Sequence, residues 1–123
     1  MTTPELGSPL RYWLMDNAIA SGDLVQGGDR DFDRSLRDGR TMFAQYYGEA
    51  HKESIYDGTE GTVLVGHVHL EGDDQFESFL PTAEGKVLRV VTDKDDGVIE
   101  GPAQISPEDE LGVIALLDSL ILE

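Results

Sequence analysis

The stretch Thr62 to Leu70, TVLVGHVHL, decides the fold. It is apolar, rich in β-branched residues and too short for a buried helix, so it reads as a central β-strand. The chain on either side supplies its partners. Glu71-Gly72-Asp73-Asp74 is a turn, and Gln75 to Leu80 (QFESFL) returns as the other arm of a hairpin. Pro81 to Gly85 connects to Lys86 to Thr92 (KVLRVVT). Asp93 to Gly97 (DKDDG) turns again, and Val98-Ile99-Glu100 resumes the sheet. Upstream, Thr41 to Tyr47 (TMFAQYY) puts Met42, Ala44 and Tyr46 on one face and Phe43, Gln45 and Tyr47 on the other. The expectation is an antiparallel sheet or small β-barrel of about five to six strands.

Helical signals flank this β region. Ser8-Pro9 offers an N-cap followed by proline at the first helical position. Leu10, Trp13, Leu14 and Ala18 then recur at helical spacing, predicting a helix over 9–19 that Ser21-Gly22 stops. Asp23 to Gln26 reads as a brief extended piece before Gly27-Gly28. Residues 29–40 (DRDFDRSLRDGR) have only Phe32 and Leu36 to bury, and 48–60 is polar; both read as long surface loops, the second around a short strand at Ser54 to Tyr56. At the C-terminal end Ser106-Pro107-Glu108-Asp109 resembles a capped helix start with acids in its first turn. Val113, Ile114, Leu117, Leu120 and Ile121 share one helical face. A strand from Gly112 to Leu117 is the rival reading; the helix is preferred, because a glycine inside it costs only about 1 kcal/mol. The apolar face of 111–121 should close the core against Val63, Val65, Leu88 and Val90, or against their opposite-face neighbours. The fold class is therefore α+β, mainly β, in one domain over 1–123, with 1–7 as a flexible tail.

Charge is the second strong signal. The chain carries 25 Asp and Glu against 9 Lys and Arg, a formal net charge of −16, and its only lysines are Lys52, Lys86 and Lys94. Self-repulsion on this scale opposes compaction at low ionic strength and is screened over about 3 Å in molar salt. The acids are spread along the chain rather than gathered in one block, which suits solvation better than a docking patch. In its low lysine and high aspartate content the chain resembles proteins of salt-in halophiles. The alternative is a mesophilic acidic protein, such as an inhibitor or nucleic-acid mimic that occupies a basic groove. Direct nucleic-acid binding is disfavoured, because phosphate contacts need a basic surface. No cysteine is present, which removes disulfides, thiolate metal sites and Cys nucleophiles. Met1 to Gly7 lacks the charge and apolar pattern of a secretory signal. The longest apolar run, Val113 to Leu117, is too short to span a bilayer. A cytoplasmic location, or assembly from the cytoplasm, without a membrane partner is expected.

Among residues able to carry chemistry, His67 and His69 stand out. Two apart on a strand, they share a face and can share a metal ion. Gly61, five residues, then His67-Val68-His69 is similar to the opening of the cupin metal motif, with Asp73 or Glu71 as the available acid. The second cupin motif is absent, and the remaining histidine, His51, lies upstream. Two imidazoles hydrogen-bonded on a half-buried strand are the simpler account. Asp29, Asp31 and Asp33, like Asp93, Asp95 and Asp96, offer oxygen ligands but lack the glycine and glutamate of an EF-hand loop. Neither a Gly-x-Ser-x-Gly elbow nor a phosphate-cradling glycine loop occurs. Trp13, the sole tryptophan, reads as core. Catalysis and a resident cofactor are therefore not expected, with a divalent cation at His67, His69 and Asp73 as the alternative.

Three segments carry a family resemblance. Ala18-Ile19-Ala20-Ser21-Gly22-Asp23-Leu24-Val25 resembles the opening of a family of small capsid-binding β-barrels. Asp57-Gly58-Thr59-Glu60-Gly61 through Val65-Gly66-His67-Val68 is similar to a hairpin of trimeric capsid-decoration proteins, and Gly97 to Ala103 to a later strand. The two helical segments depart from the simplest barrels. The resemblance, to head-decoration and assembly proteins of tailed viruses, implies a non-enzymatic virion component that binds copies of itself or other protein subunits. It transfers no functional residue, since such proteins work through surfaces.

Overall fold

Ser8 and Ser106 each start a helix as their chemistry dictates. The Ser8 hydroxyl accepts the Arg11 N–H at 3.0 Å, and the Ser106 hydroxyl accepts the Asp109 N–H at 3.1 Å. In a computed structural model that describes residues 8–21, 23–24, 29–47, 52–53, 61–95 and 97–121, these caps open α1 (Pro9–Ser21) and α2 (Pro107–Leu120). The helical reading of the C-terminal segment thus holds over the strand. Between the helices lie β1 (Asp23–Leu24), β2 (Arg30–Ser35), β3 (Thr41–Tyr46), β4 (Lys52–Glu53), β5 (Val63–Leu64), β6 (Gly66–Glu71), β7 (Gln75–Pro81), β8 (Val87–Asp93) and β9 (Val98–Gln104).

The strands form one antiparallel sheet in the order β1-β2-β3-β6-β7-β8-β9, six of full length and β1 of two residues. It is open, with β1 and β9 at its two edges, so the sheet alternative stands and the barrel does not. Neighbours in sequence are neighbours in space except between β3 and β6, where β4 and β5 pair apart from the main sheet.

Two segments differ from expectation. The stretch 62–70 is not one strand but breaks at Val65, which steps the chain from β5 to β6. Val65 accepts the Tyr47 N–H and donates to the Pro81 carbonyl, both at 2.9 Å. Residues 30–35, expected in a surface loop, form β2, in register with β3 over its whole length. Phe32 is its one fully apolar core residue, and the Arg34 guanidinium lies 5.3 Å from the Phe32 ring. Arginine here covers apolar surface with its stem and keeps its head polar, which hides the period-2 pattern from a reading by charge. Only 36–39 of that segment turns, closed by Leu36 N–H to the Arg40 carbonyl at 2.9 Å and by Gly39 at φ 94°. Within 48–60 the described Lys52–Glu53 is strand β4. The short strand expected at Ser54 to Tyr56 and the tail 1–7 lie outside the described residues.

The two faces of the sheet bury different clusters. On the inner face Met42, Ala44, Val68, Leu70, Phe79 and Val87 pack against Leu10, Leu14 and Ala18 of α1 and Leu117 of α2. On the outer face Tyr47, Leu64, Leu80 and Val90 form a second cluster with Leu88 beside it. Of the alternatives drawn for closure of the core, α2 therefore takes the opposite-face neighbours; Val63 is 41% exposed. The helices also bind each other. Glu110 of α2 accepts the Leu10 N–H at 3.3 Å, and Trp13 Nε1 donates to Asp118 at 2.9 Å.

Candidate functional site

Because Val68 and Leu70 point inward, β6 must present His67 and His69 on the outer face. Cross-strand register then sets two rows. Asp31, Gln45 and His67 stand side by side on β2, β3 and β6. Asp33, Phe43 and His69 form the next row, and Ser78 of β7 extends it. The expected sharing of a face by the two histidines is realised, with ring centroids 4.4 Å apart.

Each imidazole is held through Nδ1. His67 Nδ1 hydrogen-bonds the Tyr47 hydroxyl at 2.9 Å, and the Tyr47 ring meets it edge-on at 5.8 Å. His69 Nδ1 hydrogen-bonds the hydroxyl of Ser78, which is fully buried, at 2.5 Å. A hydroxyl can donate or accept here, so these contacts fix ring orientation rather than tautomer. The pair can supply two ligands to an ion.

The third ligand expected for such an ion lies elsewhere. Asp73 sits in the turn after β6 and lines a separate cleft with Arg40, Leu70, Glu77 and Arg89. Glu77 stands in the row of Leu70 and Arg89 in the next row, that of Val68 and Phe79, both on the inner face. Among the described residues, no three His, Asp or Glu side chains gather as a metal site. His51 and Asp96 lie outside the described residues. The aspartates of the β8–β9 turn have a local task instead: Asp93 Oδ1 accepts the N–H groups of Asp95 at 2.9 Å and Gly97 at 2.8 Å.

Beside the histidines a cleft of about 340 Å³ lies over β2 and β3, lined by Asp31, Asp33, Arg34, Phe43, Gln45 and His67 among others. Asp31 Oδ1 is buried, and among the described residues no group hydrogen-bonds to it. Phe43, flanked by Asp33 and His69, is 40% exposed.

Two polar features escaped the sequence reading because their partners are far apart in the chain. On the inner face Glu77 bridges Arg40 at 3.6 Å and Arg89 at 2.6 Å, and Arg89 also binds Glu100 at 2.9 Å. The hydrogen bond to Glu77 holds the Arg89 guanidinium above its ordinary pKa. Between the helices Glu110 is 2% exposed, and burial raises its carboxyl pKa against the opposing bonds from Leu10 N–H and the Ser8 hydroxyl.

Comparison with known proteins gives no match to a family model, a curated protein or a solved structure. Among the described residues no helix is long and apolar enough to cross a membrane.

Proposed function

We propose that the protein is a non-enzymatic assembly module, a virion component of a salt-adapted system that binds copies of itself or other subunits through apolar side-chain contact. The observation that carries this reading is a groove beside α2. Phe79, Ile105 and Val113 line it together with Leu116, which is 48% exposed, and the acids Glu108 and Asp109 flank it. Leu111 on the same helix and Ile99 on β9 are also exposed, at 58% and 51%. Leucine and isoleucine left in water on a chain of net charge −16 favour a contact that buries them once salt screens the repulsion.

Side-chain packing fits better than strand addition at the β9 edge. Pro102 has no N–H to offer there, and the β8–β9 register shifts between Arg89 and Thr92. Affinity from apolar burial is independent of charge steering, so it should survive brine, whereas an acidic inhibitor would lose its basic partner as salt rises.

Light-scattering mass at 0.1 M and 3 M KCl tests the proposal. A defined oligomer at 3 M KCl that falls to monomer in Leu116→Asp is expected. A folded monomer at both salts, with no binding to capsid or tail proteins, would remove it.

A further inference from the structure

On the opposite side of the molecule from the α2 groove, we infer that the cleft over β2 and β3 is a binding site for a guanidinium group. Four features of the cleft converge on that chemistry, and none depends on the assembly reading.

The first is the Asp31 carboxylate, whose Oδ1 is buried in the cleft wall without a hydrogen-bond partner among the described residues. That oxygen is shielded from solvent, so a ligand in the cleft meets the remainder of this half-buried side chain. The second is Asp33, two residues on along β2 and on the same face, which puts two anionic acceptors along one wall. The third is Phe43, whose ring stands in the row between Asp33 and His69 and is 40% exposed. The fourth is Gln45, which offers an amide oxygen between Asp31 and His67.

A guanidinium matches this set in a way that other cations do not. Its planar fork of N–H donors suits carboxylate oxygens, and its face stacks on an aromatic ring. An ammonium has neither the plane nor the fork. A divalent ion needs clustered ligands, and the described residues gather no such group. A nucleotide would bring phosphate against a chain of net charge −16. The protein already makes a similar contact from the other face of β2, where the Arg34 guanidinium lies over Phe32 and donates to the Asp33 carbonyl.

The test is an NMR titration with the blocked tripeptide Gly-Arg-Gly, its Gly-Lys-Gly and Gly-citrulline-Gly counterparts, and free agmatine. Binding of the arginine peptide should move the amides of Asp31, Phe43 and Gln45. The lysine peptide should bind at least tenfold more weakly, and the uncharged citrulline peptide not at all. Asp31→Asn should weaken arginine binding tenfold or more and Phe43→Ala several-fold, while Asp95→Asn, an exposed acid in the distant β8–β9 turn, should leave it unchanged. Circular dichroism establishes that each variant is folded, and Phe43→Leu provides a second, conservative probe of the stack. Agmatine binding as tightly as the peptide would assign the site to a small guanidino compound. A peptide at least tenfold tighter would assign it to an arginine on a protein partner. Equal binding of the arginine and lysine peptides, equal loss in Asp95→Asn, or no shift at millimolar arginine peptide would overturn the inference.

Discussion

Replacing Gly66 with alanine is expected to lower stability by about 2–3 kcal/mol, the cost of overpacking a closed core. A Cβ at this position would stand 2.6 Å from the Gln45 carbonyl oxygen and 2.6 Å from Cδ2 of Leu14. Leu14 can rotate, but the Gln45 carbonyl belongs to β3, beside the residue that pairs with Gly66. The strand must shift, or α1 must lift from the sheet and uncover Leu10, Leu14 and Ala18, all fully buried. Either way the denaturant midpoint falls while its slope stays nearly constant. Gly112→Ala is the counter-case: nothing lies within 4 Å of its added Cβ, and it sits inside α2. It should gain up to about 1 kcal/mol from helix propensity. A neutral Gly66→Ala would mean that α1 does not seat on the sheet where β3 meets β6.

That close seating was not legible in the sequence, and the reason is general. Periodicity reports which face of an element is apolar, so Leu10, Leu14 and Ala18 identified α1, and Leu117 with its neighbours identified α2. It does not report how near two elements come. Gly66 looked like one residue within a continuous strand, whereas the chain steps at Val65 and needs the missing side chain at Gly66. β2 was hidden for a different reason. Its inward positions include Arg34, and a charge at an inward position breaks the alternation on which a strand reading depends. The histidines were legible as a pair, because residues two apart on a strand share a face whatever their neighbours do. Their partners Tyr47 and Ser78 come from other strands, and so does the Asp31–Gln45–His67 row. Such rows require register, which one strand's sequence does not carry. Asp73 shows the converse error: nearness in sequence to His69 put it in the ligand set, and the turn after β6 carries it to another cleft.

Glu110 provides the second large effect, and its direction depends on what replaces it. The carboxylate sits at the N-terminus of α1, where it accepts the Leu10 N–H and the Ser8 hydroxyl. Glu110→Ala strips the buried Leu10 N–H of its acceptor and leaves a cavity between the helices, for an expected loss of about 2–3 kcal/mol. Glu110→Gln keeps an acceptor for Leu10 and removes the buried charge. Burial lifts the folded-state pKa of Glu110 above its ordinary 4.5, although the bonds from the Leu10 N–H and the Ser8 hydroxyl limit the rise. The native state therefore holds this proton more tightly than the unfolded chain does. Stability from Glu110 is full below pH 4.5, declines as pH rises through the folded pKa, and stays reduced above it. Asp38 works in the other direction and in another window. Its bond to Arg40 lowers its pKa below 3.8, so its contribution is present above that value and lost only as pH falls further. The comparison of Glu110→Gln with the parent protein isolates one carboxylate among 25 acids. Measured by denaturant unfolding in 3 M KCl, the glutamine variant should match the parent near pH 4 and exceed it at pH 8, where the buried carboxylate of the parent is ionised. A difference that does not change between those two pH values would mean that Glu110 meets water in solution, and that α1 and α2 are joined chiefly through Trp13 and Asp118.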